Sequence, residues 1–201
     1  IVGAVKETRD LTLVGDVAQA IDNTSAFPGW DTLMTRWKFG QDMSKYLSLE
    51  ISHRSTLPIM KLADYIQRRD TVKNGRQGRT PIWFKCSNES SGIETTIDWL
   101  KKAQEKYPSA LTAVLCRNQE DVKFAYSVLR PTFGESCKLA DENLFSLDEG
   151  VLVANVKDVK GLEFTNVLIW NPSKSNYDNE LERNILYVAV TRAEDNVCLV
   201  T

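Results

Sequence analysis

The most constraining feature of this chain is a set of short runs that are apolar throughout, set between longer stretches with helical periodicity. "LTAVLC" (111–116), "GVLVANV" (150–156), "NVLIW" (166–170) and "NVCLV" (196–200) lack the in-out alternation of a strand with one wet face. Such strands must be covered on both sides, and amphipathic helices are what cover them. The pattern predicts an α/β fold with a mainly parallel sheet and helices on both faces.

Further strands are predicted at 11–14, 46–52 and 82–86. Helices are predicted at 27–37, 57–69, 92–107, 118–130 and 179–193 from apolar residues at helical spacing. Residues 69–80, "RDTVKNGRQGRT", read as a loop with two glycines and several cations, and 171–179 as another. In open sheets of this kind ligands bind at the carboxyl ends of strands, which gives most weight to residues just after a strand.

At 201 residues with 42% hydrophobic content, the chain is long enough to bury a real core. The formal net charge of -2 excludes a surface that binds nucleic acid by bulk basicity alone, although 25 Lys and Arg leave room for local patches. Four cysteines without C-x-x-C spacing and a single histidine argue against zinc. Buried free thiols in a reducing cytoplasm are the plain reading. No run reaches the roughly 18 apolar residues of a membrane span. The chain opens on Ile1 in mid-pattern, as expected of a piece of a longer protein.

Several polar residues stand at element ends. In "ILYVAVTRAED" (185–195), Arg192 shares a helical stripe with Leu181, Ile185 and Val188. It is either a cation complementing the helix dipole, paired to Glu194 or Asp195, or an arginine aimed at a phosphate. In "LTLVGDVAQAI" (11–21), Asp16 can cap a helix or join a metal shell, and Gln19 offers a bidentate amide. "EISHRST" (50–56) places His53 and Arg54 after a strand, with Ser55 and Thr56 able to cap the next helix. In "ANVKDVKGLEFTNVLIW" (154–170), Gly161 allows close backbone approach. Lys160 there offers a point charge and Glu163 an acceptor, or the two form an ordinary surface pair.

Taken in order, "GDVAQ", "SHRST", "VKGLEF" and "YVAVTRA" closely resemble motifs III, IV, V and VI of UvrD/Rep-type superfamily 1 helicases. "KGLEF" followed by "LYVAVTRA" is a highly specific pair. The resemblance runs from residue 11 to residue 193. It implies the second RecA-like motor lobe (45–201), preceded by the tail of the first lobe (1–44). ATP would lie between the lobes, with magnesium held mainly by the first. No G-x-x-x-x-G-K-[ST] phosphate loop is present, so this piece alone is expected to be inactive.

By the same resemblance, Arg192 is an arginine finger, Arg54 a second arginine on the phosphate, and Gln19 a γ-phosphate sensor. Asp16, His53, Gly161 and Glu163 would serve nucleotide binding, with His53 where the family has an adenine-stacking tyrosine. Lys157, in place of a family histidine, would face DNA with Lys160. The family's base-stacking aromatic falls near Thr24, so Trp30, Trp37 or Phe27 would substitute, unless these rings simply pack in the core. The partners implied are the N-terminal lobe and single-stranded DNA, with no membrane. The short Arg54-to-Lys160 interval resembles compact DNA helicase IV-like and HelD-like proteins, the latter acting on RNA polymerase. A non-catalytic RecA-like binding module is the remaining alternative.

Overall fold

The structure is a computed structural model that describes residues 12–21, 29–36, 45, 47, 51–140, 148–173 and 175–201. Helix α1 spans Trp30–Arg36 and α2 Leu57–Ile66; strand β1 is Ile82–Phe84, followed by α3, Glu89–Lys106. Then come β2 (Leu111–Cys116), α4 (Gln119–Phe133), β3 (Cys137–Leu139), β4 (Gly150–Asn155), β5 (Phe164–Trp170), α5 (Glu180–Val190) and β6 (Ala193–Val200). The six strands form one sheet in the order β1-β6-β5-β2-β4-β3. Every pairing is parallel.

The apolar strands sort by parity into two cores. Ala113, Leu115, Leu152, Ala154, Val167, Ile169, Val197 and Leu199 point to the face covered by α2 and α5. Their neighbours Val114, Cys116, Val151, Val153, Leu168, Trp170, Cys198 and Val200 point to the face covered by α3 and α4. Each fully buried aliphatic side chain contributes about 1.5–3 kcal/mol, so both layers are needed. This is the two-sided burial that runs without alternation require.

Helix starts are set by asparagines placed just after strands or loops. Asn88 accepts from Ser91 N at 2.9 Å, Asn118 from Asp121 N at 2.8 Å and Asn179 from Glu182 N at 3.0 Å. Each satisfies one of the orphan donors of a first turn.

Several expected elements differ. Residues 12–14 form no strand, and Leu13 and Val14 are exposed; among the described residues no strand pairs with them. The strand expected at 46–52 falls largely outside the described residues, and Leu47, Ile51 and Ser52 are not in one. Helix α3 starts at Glu89, pulled back by the Asn88 capping box. Helix α5 ends at Val190, and β6 begins three residues earlier than expected. Edge strand β3 was not anticipated, since "CKL" is too short to carry a pattern. Residues 27 and 28 and Trp37 of the expected 27–37 helix lie outside the described residues.

Thr56 occupies the N-cap of α2, yet its side chain makes no cap bond, and its hydroxyl is buried without a partner. Ser55 does not cap either; its hydroxyl donates to Ala193 O at 2.6 Å.

Candidate functional site: an arginine pair at the amino ends of β5 and β6

The register of two central strands builds the site. Phe164 pairs with Ala193, and Phe164 N donates to Arg192 O at 2.9 Å. The residues just before these, Leu162-Glu163 and Thr191-Arg192, are therefore brought side by side where the ladder opens. The cluster thus sits at the amino ends of β5 and β6, contrary to the expectation that carboxyl ends would hold it.

Arg192 is only 2% exposed and is among the largest fully buried side chains. Its Nε donates to Val188 O at 3.2 Å and its Nη1 to Leu162 O at 3.1 Å. The expected pairing to Glu194 or Asp195 does not form: Glu194 accepts from Thr165, and Asp195 pairs with Arg76. Among the described residues no carboxylate makes an ion pair with Arg192. Burial, together with the nearby Arg54 cation, lowers its pKa, and Glu163 only partly opposes this. A buried guanidinium on two carbonyls, beside a second cation, is a costly arrangement.

Arg54 arrives from the turn before α2. It donates through Nη1 to Glu163 Oε1 at 2.8 Å and through Nη2 to Thr191 O at 2.7 Å. Glu163 therefore pairs with Arg54 and not with Lys160. Two guanidiniums and one carboxylate meet here, leaving a surplus positive charge suited to an anion.

Asp16 and Gln19 gather at a neighbouring point. Asp16 caps a 3₁₀ turn, Val17–Gln19, by accepting from Ala18 N at 3.0 Å. Gln19 Nε2 donates to Asp16 Oδ2 at 3.3 Å. Tyr187 on α5 donates to Asp16 Oδ2 at 2.7 Å and accepts from Arg69 at 3.2 Å. Burial and the hydrogen-bonded Asp16 carboxylate push the Tyr187 phenol up to about 12. Arg69 is paired in turn to buried Asp64 at 2.8 Å. Gln19 thus bonds within its own turn. The Asp64–Arg69–Tyr187 relay that carries this segment was missed in the sequence. The tyrosine of "LYVAVTRA" was its one signal.

The turn between β4 and β5 joins both edges of the sheet. Strands β4 and β5 flank β2 and run parallel, so residues 156–163 must return from a carboxyl edge to an amino edge. Lys157 and Lys160 are exposed along this crossover. Gly161 has φ 92°, and a Cβ there would meet nothing, so its backbone conformation requires glycine and space does not. His53 is exposed beside Arg54. Trp30 is half-buried with its ring against Gly15, so part of that ring is used in packing. Thr24, Phe27 and Trp37 lie outside the described residues.

Among the described residues no three or more His, Cys, Asp or Glu gather as a metal site, and no helix is long and apolar enough to cross a membrane. The cysteines are free thiols, with Cys116, Cys137 and Cys198 buried.

A six-stranded parallel sheet with helices on both faces, and a polar cluster at one strand edge, defines a RecA-like α/β lobe. Residues 150–200, which include β4, the crossover, α5 and Arg192, match the family model of the UvrD-like helicase C-terminal domain. The C-terminal domain of a possible DNA helicase from Lactobacillus plantarum WCFS1 superposes with a TM-score of 0.61 at 28% identity, covering 75% of this chain and 87% of that one. A CRISPR-associated protein aligns at a TM-score of 0.40 and 12% identity, over 60% of this chain and 16% of that one. No curated protein matches the chain. Residues 150–200 thus match a UvrD-like helicase C-terminal domain, and the fold of the chain is similar to that of the C-terminal domain of a possible DNA helicase.

Proposed function

We propose that the chain is the second motor lobe of an ATP-dependent superfamily 1 DNA helicase or translocase. In that role it would work against an N-terminal lobe of the same protein that carries the phosphate loop. The observation that carries this reading is the convergence of Arg54 and Arg192 beside Glu163.

The donor set fits a phosphate: two guanidiniums in excess over one carboxylate. In this reading magnesium would be held mainly by the other lobe. Bound ATP supplies a transferable phosphoryl group whose oxygens gain charge as the bond to the leaving group lengthens. Arg54 and Arg192 stabilise that charge from across the cleft, so turnover depends on closure. To reach a phosphate, Arg192 exchanges its two carbonyl acceptors for phosphate oxygens, and Arg54 loosens from Glu163. Exchanging these internal contacts on closure would couple the step to movement along single-stranded DNA. Lys157 and Lys160, exposed on the crossover, would contact that strand. Asp16 and Gln19, held through Tyr187, would report the nucleotide to the same helix, and His53 would lie beside the base.

The test is ATP turnover by the full-length protein with and without single-stranded DNA, and separately with RNA polymerase. The expected result is stimulation by DNA that is lost in Arg192→Ala. Stimulation by polymerase alone would replace the DNA motor with a polymerase remodeller.

A further inference from the structure

The glycine- and cation-rich stretch 69–80 is unused by the site as described, yet its middle lies directly across both arginine-bearing segments. Arg76 Nη2 donates to the carbonyl oxygen of Arg54 at 2.8 Å and to that of Glu194 at 2.9 Å. Its Nη1 meets Asp195 Oδ1 at 2.5 Å. Its own carbonyl accepts from Leu57 N at 2.6 Å. Gly78, two residues on, lies so close to Thr56 that a Cβ would stand 2.2 Å from Thr56 Cγ2.

One planar guanidinium therefore ties the backbone of residue 54 to that of 194–195, two segments far apart in the chain. A lysine could not do this, because the fork geometry is what reaches two carbonyls and a carboxylate together. The Asp195 ion pair is half-exposed on the Arg76 side and contributes little by itself. The two carbonyl bonds carry the positional information. Three of the five donors of Arg76 are thereby used on the chain itself.

We infer that Arg76 is a positioning residue that fixes Arg54 and Arg192 in register with one another, an inference that rests on the motor reading above. A displacement of about 1 Å between groups that must meet one phosphate is enough to cost a large factor in rate.

The experiment compares Arg76→Ala, Arg76→Lys, Arg54→Ala and Arg192→Ala in the full-length protein, measuring kcat, KM, nucleotide Kd and thermal midpoint. Arg76→Ala is expected to lower kcat roughly 10- to 100-fold with nucleotide Kd changed less than about threefold. Arg76→Lys keeps the charge and stem and so guards against misfolding; it is expected to lower kcat roughly 3- to 10-fold. A merely stabilising Arg76 would lower the midpoint and leave kcat of the folded fraction unchanged. If Arg192→Ala abolishes turnover while Arg76→Lys works at the wild-type rate, the positioning role is overturned and the motor reading survives. If Arg54→Ala and Arg192→Ala both turn over normally, the motor reading fails, and the positioning role with it.

Discussion

Replacing Gly78 by alanine should destabilise the chain far more than replacing Gly75, although both lie in the same loop. A Cβ at Gly78 would stand 2.2 Å from Thr56 Cγ2, 2.5 Å from Thr56 Cβ and 2.8 Å from its hydroxyl. Carbon atoms rest at about 3.5–4.0 Å, so more than about 1 Å must be opened. Thr56 cannot yield: it is 1% exposed, its N donates to Glu194 O at 3.2 Å, and its carbonyl accepts from Met60 N. The loop must lift instead, and Arg76 lifts with it. Overpacking costs about 1–3 kcal/mol, and each weakened charge-assisted hydrogen bond adds about 1 kcal/mol or more. A total of about 2–4 kcal/mol corresponds to a fall of about 5–15 °C in thermal midpoint for a chain this size. At Gly75 the added atom would meet Leu57 no closer than 3.5 Å, an ordinary contact. Neither glycine has a positive φ, so backbone strain does not distinguish them. Gly75→Ala should therefore fall within about 1 kcal/mol of the parent, or slightly above it through reduced chain entropy. Thermal and urea unfolding followed by circular dichroism reads both. Equal midpoints for the two variants would refute the close packing of this loop on the Arg54 turn.

Asp64 is 3% exposed and accepts from Val72 N, Thr71 N, the Thr71 hydroxyl and Arg69. Burial raises its carboxyl, but these donors outweigh it and hold it below the usual carboxylate range. Its stabilisation is complete above the unfolded value near ~3.9 and is lost as pH falls through the lower folded value. Asp64→Asn should thus cost on the order of 3 kcal/mol at pH 7 and converge with the parent in strong acid, which a pH series of urea midpoints checks. Burial pushes the Cys137 thiol up to about 11 and Cys198 to about 12, and Cys116 is raised further still. In native protein iodoacetamide should label half-buried Cys86 first, and the other three only on unfolding, as mass spectrometry after timed quenching would show.

Much of the sheet was legible because its strands had to be apolar on both faces. Parity then fixed which side chain meets which helix layer. What was not legible depended on long-range partners. Residues 12–14 look like a strand, but a strand needs a neighbour, and among the described residues none is paired to them. Edge strand β3 is three residues long and carries no period. At the site, the types Arg54, Glu163 and Arg192 stood out by motif, whereas the partner of Arg192 was misjudged. Nearby acids in sequence suggested pairing with Glu194 or Asp195, but Glu194 meets Thr165 and Asp195 meets Arg76. Arg76 was seen only as one cation in a polar loop. Its role appears when the loop is laid across residues distant in the chain, which no local pattern can encode.

The central claim is that Arg54 and Arg192 act on one phosphoryl group. It is tested most directly by a double-mutant cycle of ATP turnover in the full-length protein: parent, Arg54→Ala, Arg192→Ala and both together. Arginines of this kind are worth about 10³–10⁵ in rate, and residues acting as a unit are strongly non-additive. The account predicts that each single variant loses turnover by orders of magnitude with nucleotide binding largely kept, and that the double variant is scarcely slower than the worse single. Losses that multiply in full, or an Arg192→Ala variant that turns over like the parent, would contradict it.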